Sequence, residues 1–168
     1  TFYQCKQIAL QLDLQFPTRY QWQNAARAGT TSVYWNGSYW NLEFDENLAD
    51  MSKNDRPNLK NWNDGYPQTS PVGAFRANPF GLFDVLGNVS ELGDLLLFLS
   101  GRPNNGTGSK SISRSRCQMF GGSAGTNWEN TRASRAPTID KTVPFPQTGV
   151  RFVKNIEDGS WSYVGYDK

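Results

Sequence analysis

Apolar positions recur with a helical period only near the start of the chain. Cys5, Ile8, Ala9 and Leu12 share one face of a helix predicted over about residues 2 to 13. Pro17 blocks its continuation, and Thr18 with Gln21 three residues on forms a capping-box pattern. Trp22, Ala25 and Ala26 give this second helix its apolar face, and Gly29 closes it. From Thr30 to Arg76 neither a helical nor a strand period persists. That segment is rich in Asn, Asp, Gly and Trp and needs something other than hydrogen-bonded ladders to hold it. Short apolar runs return later: CQMFGGS reads as a buried strand broken by Gly-Gly, TGVRFV as another, and SWSYVGY as a third. Two helices followed by loops and short strands predict an α+β domain. No internal repeat interrupts this order.

Composition narrows the chemistry. The 168 residues suit one domain with a single core. Lys+Arg 17 against Asp+Glu 15 leaves a net charge of +2, which is no footprint for nucleic acid. The densest basic stretch, SKSISRSR from Ser109 to Arg116, is diluted by serine and reads as a solvated loop. The longest apolar run, Leu95 to Leu99, is far short of the roughly 20 residues of a membrane span and reads as a core strand or helix. There is no histidine, so neither a Ser-His-Asp arrangement nor a histidine-ligated metal arises from this chain. The two cysteines, Cys5 and Cys117, lie far apart and form no C-x-x-C, leaving one disulfide or two buried thiols as alternatives. Three N-x-S/T sequons occur, at Asn36, Asn88 and Asn105.

The stretch NPFGLFDVLGNVSELGD, residues 78 to 94, concentrates side-chain oxygens and glycines. It suits a catalytic carboxylate, a loop wrapped on a hard cation, or a tight structural turn. A cation reading has physical sense, because Ca²⁺ takes six to eight oxygens and glycine turns aim successive carbonyls inward.

Taken in order, PTRYQWQNAARAG, NLAD, NDGY, SPVGAFRANPFGLFDVLGNVSEL, FGGS, RASR and GVRF resemble the formylglycine-generating enzyme family, also called the sulfatase-modifying factor family. The resemblance spans roughly residues 1 to 153 and implies a C-type-lectin-like α+β fold: two helices, short twisted strands and long irregular loops. It also implies that the chain, a single domain over residues 1–168, lacks the family's N-terminal portion, and that the protein is exported to the periplasm or cell surface. Two calcium sites follow from the same resemblance. One would use the carbonyls of Asp84, Gly87 and Val89 with the Glu91 side chain; the other would use the side chains of Asn47 and Asp64 with the carbonyls of Leu48 and Tyr66. The family's two copper-binding, thiol-oxidising cysteines fall on Thr126 and Thr131, and Ser123 matches a serine of its active site. Threonine hydroxyls are neither soft ligands nor redox active, so neither copper nor iron is expected. The family's Gly-Asn-Val-Trp-Glu-Trp reads GNVSEL here, with Ser90 and Leu92 in place of two indoles. The vacated space must be refilled or covered, and a partner meeting this place is one way.

These observations favour a non-catalytic, calcium-stabilised binding or assembly module of an exported bacterial protein. Its partner would be a protein, a peptide or a glycan, met by AGTNWENTR: Ser123, Thr126, Asn127, Trp128, Asn130 and Arg132, with Trp62 beside them. Trp22 and Trp35 are read as core. A second reading is a target-binding variable protein of a diversity-generating retroelement, which uses the same fold. A third is an enzyme of altered chemistry working through Glu91, Asp94 or Glu129, although no carboxylate pair stands at a convincing spacing.

Overall fold

The computed structural model describes residues 1–37, 45–49, 63–95, 115–156 and, as backbone, 161–163. Helix α1 spans Phe2–Gln11 and helix α2 spans Arg19–Arg27. Among the described residues six short strands follow: β1 Ser90–Gly93, β2 Arg116–Phe120, β3 Thr138–Asp140, β4 Thr148–Val150, β5 Val153–Asn155 and β6 Trp161–Tyr163. β1 to β4 form one mixed sheet in the order β3-β2-β1-β4, with β1 antiparallel to β2 and parallel to β4. β5 and β6 pair separately as an antiparallel hairpin. The architecture is α+β, and most of the described chain is irregular.

The capping box predicted at α2 is present. Thr18 Oγ1 accepts from Gln21 N at 3.2 Å, while Gln21 Oε1 accepts from Thr18 N at 2.9 Å. Trp22, Ala25 and Ala26 are all buried. Helix α1 departs from its expected face. Phe2 and Ala9 are buried with Cys5 half-buried between them, whereas Ile8 and Leu12 are about half exposed at 49% and 58%. The i, i+3, i+7 stripe through Phe2 wins because that ring stacks on Phe16 at 4.4 Å, an aromatic area that Ile8 does not match.

Alternation along β1 and β2 divides the interior in two. Leu92 and Cys117 pack with Phe2 and Phe16, backed by Met119, Ile139 and Val150. On the other face Phe120 stacks on Trp22 at 4.9 Å and joins Leu48, Leu82, Val85 and Leu86. The sheet thus lies between side chains of the two helices. Gly93 permits this, since a Cβ there would stand only 2.0 Å from Phe120 Cε2. Two isolated bridges, Gln15 with Val153 and Thr18 with Asp94, fasten the link between the helices to the strands.

Three elements differ from the sequence pattern. Strand β1 lies within the stretch for which a catalytic carboxylate, a cation loop and a tight turn were the alternatives, and its four residues are all buried. TGVRFV is two strands, because the chain leaves the mixed sheet after Val150 and pairs with β6 from Val153 onward. Strand β3, TID, has too short a pattern to show alternation. In the run read as a core segment, Leu95 is buried and residues 96–99 lie outside the described residues. Asn88 exchanges hydrogen bonds with the Ser70 backbone and is only 4% exposed, so its sequon takes no glycan in the folded chain.

Candidate functional site

The loop after β2 builds the candidate site. Gly121 and Gly122 both take positive φ, and Gly121 O accepts from Gly87 N at 2.9 Å. A Cβ on Gly122 would meet Thr131 Cγ2 at 2.7 Å and Thr126 Cγ2 at 3.1 Å. Both threonine methyls therefore lie against one point, and the structure makes neighbours of the two positions that sequence alone placed in a pair. Their hydroxyls are committed inside the protein. Thr131 is fully buried and donates to Trp128 O at 2.8 Å. Thr126 Oγ1 accepts from Ser123 N at 2.9 Å and lies 3.3 Å from Ser123 Oγ, which in turn donates to Gln147 Oε1 at 3.1 Å. Two hard hydroxyls held this way do not fit a soft, thiolate-seeking copper ion.

A short 3₁₀ helix, Trp128–Asn130, carries the rest of the predicted ligand patch. Trp128 is half-buried against the Trp22 cluster, and its carbonyl also accepts from Tyr34 Oη at 2.9 Å. Asn127 and Asn130 are half-buried, while Glu129 and Arg132 are exposed. The Arg132 Nε donates to Glu129 O at 2.9 Å, fixing the guanidinium stem beside the helix. Asn127 Oδ1 is buried without a hydrogen-bond partner. Burial raises the Tyr34 phenol above its ordinary value, partly opposed by the positive charge of Arg132. Trp62 lies outside the described residues. Trp22 and Trp35 are core, as their patterns implied.

The carboxylate of Glu91, expected to close a cation loop, meets protein donors in this structure. Glu91 is 5% exposed, and its carboxylate receives Trp22 Nε1 at 2.6 Å, Arg151 Nε at 3.0 and 3.2 Å, and Arg151 Nη2 at 2.7 Å. These contacts use its acceptor capacity, and the guanidinium supplies the neutralising charge. Asp84 instead accepts from Gly73 N through Oδ2, and burial raises its acid above the ordinary range. Asp84, Gly87 and Asn88 hold positive φ, so the turn around Val89 is tight, but the side chain meant to close it on calcium is already paired. Arg151, inside the quoted GVRF, is the residue that sequence reasoning left without a role. A lone arginine two positions after a glycine carries no signal of the partner it will meet 60 residues away.

The other cation set is brought together. Asp64 Oδ2 accepts from Leu48 N at 2.9 Å and Asp64 Oδ1 from Tyr66 N at 2.8 Å. Asn47, fully buried, donates through Nδ2 to Gln68 O, yet its Oδ1 has no partner. A buried acceptor without a partner, one residue before the Leu48 N–H that Asp64 accepts, fits a hard cation. Among the described residues no cluster of three or more His, Cys, Asp or Glu gathers as a metal site; of the four residues of this set, Asp64 alone carries a carboxylate.

Comparison with known proteins gives this geometry a family. Residues 1–156 match the sulfatase-modifying factor enzyme 1-like domain. The chain belongs to that family. A formylglycine-generating enzyme of Mycobacterium tuberculosis is 39% identical over 80 residues, which is 46% of this chain and 25% of that protein. PvdO from Pseudomonas aeruginosa superposes with a TM-score of 0.62 at 23% identity, covering 83% of this chain and 51% of the other. Variable protein 1 of Treponema denticola gives 0.60 at 20% identity over 83% and 46%. CarF gives 0.55 at 21% identity over 86% and 48%. The chain thus spans a quarter of the curated relative and about half of each solved structure, and these structures establish the sulfatase-modifying-factor type of α+β fold. No helix among the described residues is long and apolar enough to cross a membrane.

Proposed function

We propose that this sulfatase-modifying-factor domain is a non-catalytic binding module whose ligand surface is the loop from Ser123 to Arg132. The observation that carries the reading is the state of Thr126 and Thr131. They are neighbours at the positions of the family's cysteine pair, and both hydroxyls are spent on internal hydrogen bonds. Neither soft-metal binding nor thiol exchange is available to such a pair. Beside them lie a half-buried Trp128, the half-buried amides of Asn127 and Asn130, and the exposed Arg132. An aromatic anchor with a polar rim suits a peptide or glycan partner. The unpaired Asn127 Oδ1 favours an incoming donor, because a buried acceptor without a partner costs about 1–3 kcal/mol.

Calcium is part of the proposal at one place, where Asn47 and Asp64 would supply side-chain oxygens and Leu48 and Tyr66 carbonyls. Its support is the buried, partnerless Asn47 Oδ1 on the residue before Leu48, whose N–H the Asp64 carboxylate accepts. The ion would tie loops and leave the ligand surface to the protein's own groups.

The experiment is a selection of peptide binders from a displayed library on the folded domain, followed by affinity measurement with variants. Asn130→Ala and Arg132→Ala should each weaken the selected binders by about tenfold, a change of about 1.4 kcal/mol, with the melting temperature unaltered. Tyr20→Ala, on the exposed side of α2, should change nothing. Binders indifferent to both loop substitutions would place the ligand surface elsewhere.

The likeness to Treponema denticola variable protein 1 favours a second reading, a target-binding variable protein of a diversity-generating retroelement. A reverse transcriptase gene and a near-identical second copy of the coding segment for this loop, close to the gene, would distinguish it.

A further inference from the structure

Beyond the threonines, the loop ends in a tight turn with an arginine at each end. Arg135 N donates to Arg132 O at 2.9 Å, closing the four residues Arg132, Ala133, Ser134 and Arg135. Ala133 is 2% exposed and packs in the Trp22 cluster, which pins the turn to the core. From helix α2, Arg19 Nη2 donates to Ser134 O at 2.8 Å and braces it again. Both end residues, Arg132 and Arg135, are exposed. Two positive side chains thus stand on a backbone that is fastened at several points.

Their charge is not answered locally. From Ser123 to Pro137 the chain has one acid, Glu129, against these two arginines. Among the described residues the ion pairs are Arg76 with Asp45 and Arg151 with Glu91, and neither turn arginine joins one. Asp94, whose backbone bridges Thr18, is an acid near Arg19, so the excess rests on Arg132 and Arg135. Like charges at the two ends of one turn repel, and a partner with two carboxylates relieves both.

The turn also sets a spacing. Its hydrogen bond keeps the Cα atoms of Arg132 and Arg135 within about 7 Å. In an extended peptide, alternate residues share a face and stand about 6.8 Å apart, whereas adjacent residues face opposite ways. Each guanidinium fork can take one carboxylate. In the same loop the buried, partnerless Asn127 Oδ1 calls for a donor, which a peptide backbone supplies at each residue.

We infer that the partner of this loop is an extended acidic peptide segment, with carboxylates two residues apart paired to Arg132 and Arg135. This rests on the reading of the loop as the ligand surface and names the chemistry of what it takes.

The test titrates the folded domain with the end-capped peptide Ser-Glu-Ser-Glu-Ser while NMR follows the backbone amide signals of Arg132 and Arg135. Both signals should move. The isomer Ser-Glu-Glu-Ser-Ser should bind about threefold more weakly and Ser-Gln-Ser-Gln-Ser about tenfold, since one exposed ion pair is worth at most about fivefold. Arg135→Gln should cost about threefold and erase the preference between the isomers. Lys154→Gln, the same charge change at an exposed position of β5, should do neither. Equal binding of the glutamate and glutamine peptides by the unaltered protein overturns the inference, as does equal binding of the two isomers. A heparin-derived disaccharide that moves the same signals at tenfold lower concentration would put a sulfated glycan in the peptide's place and overturn it too. Library-selected binders that lack acidic residues yet still need Arg132 would keep the loop as ligand surface and overturn this inference alone. Binders indifferent to Asn130→Ala and Arg132→Ala would remove the surface itself.

Discussion

Two buried carboxylates show how neighbours, not residue type, decide chemistry. Glu91 is surrounded by donors and pairs with Arg151; Glu46, fully enclosed, accepts from Trp35 Nε1 at 2.7 Å and leaves Oε2 unpartnered. Burial, with Asp84 and Asp45 adding to it, holds the Glu46 acid well above its ordinary 4.5. The sign of the linkage follows. The unfolded chain loses this proton near 4.5 while the folded chain keeps it, so above that pH Glu46 lowers stability until its raised folded value is passed. The slope is at most about 1.4 kcal/mol per pH unit for one proton. Glu46→Gln mimics the neutral acid and still accepts from Trp35. Denaturant titrations from pH 5 to 8 should show the variant gaining on the parent as pH rises; a gap that does not change with pH would mean Glu46 is ionised in the fold.

At the scale of elements, the loops are held by close backbone approach as much as by strands. Gly87 N bonds Gly121 O, Asn88 N bonds Asn47 O at 2.8 Å, and a Cβ on Gly87 would lie 2.2 Å from that same Asn47 oxygen. The segment 45–49 is thereby pressed onto the turn before β1, with Asp64 bridging Leu48 and Tyr66. A cation at Asn47 and Asp64 would add to this tie. One carboxylate makes for weak affinity, so millimolar calcium is the relevant range. Calcium at about 100 times its dissociation constant should add about 2.7 kcal/mol, seen as a rise in melting temperature that EGTA reverses. Asp64→Asn should abolish the rise, whereas Glu91, already paired with Arg151, should have no part in it. A calcium-dependent rise that survives Asp64→Asn would return the ion to another site.

Helix α2 and strand β2 were legible because their signals are local: a capping box, an alanine face, a run of apolar residues before Gly-Gly. Strand β1 was not, since its burial depends on Phe120 and Val150 coming from far along the chain. The Glu91 pairing was hidden for the same reason. Family motifs pointed to the loop and to Asp64 but carried no sign of the Arg151 guanidinium that pairs with Glu91. The face of α1 was misjudged because Phe2 stacks on a partner beyond the helix itself.

At the scale of the whole molecule, the chain keeps a family fold around a loop whose paired positions are threonines. The central claim is that this loop binds and does not oxidise. The direct measurement is oxygen uptake by the purified protein, supplied with copper(I) and a cysteine-containing peptide. The account predicts uptake equal to that of copper and peptide alone, and unchanged by Thr126→Ala. Peptide-dependent uptake above that level, lost in Thr126→Ala, would contradict it.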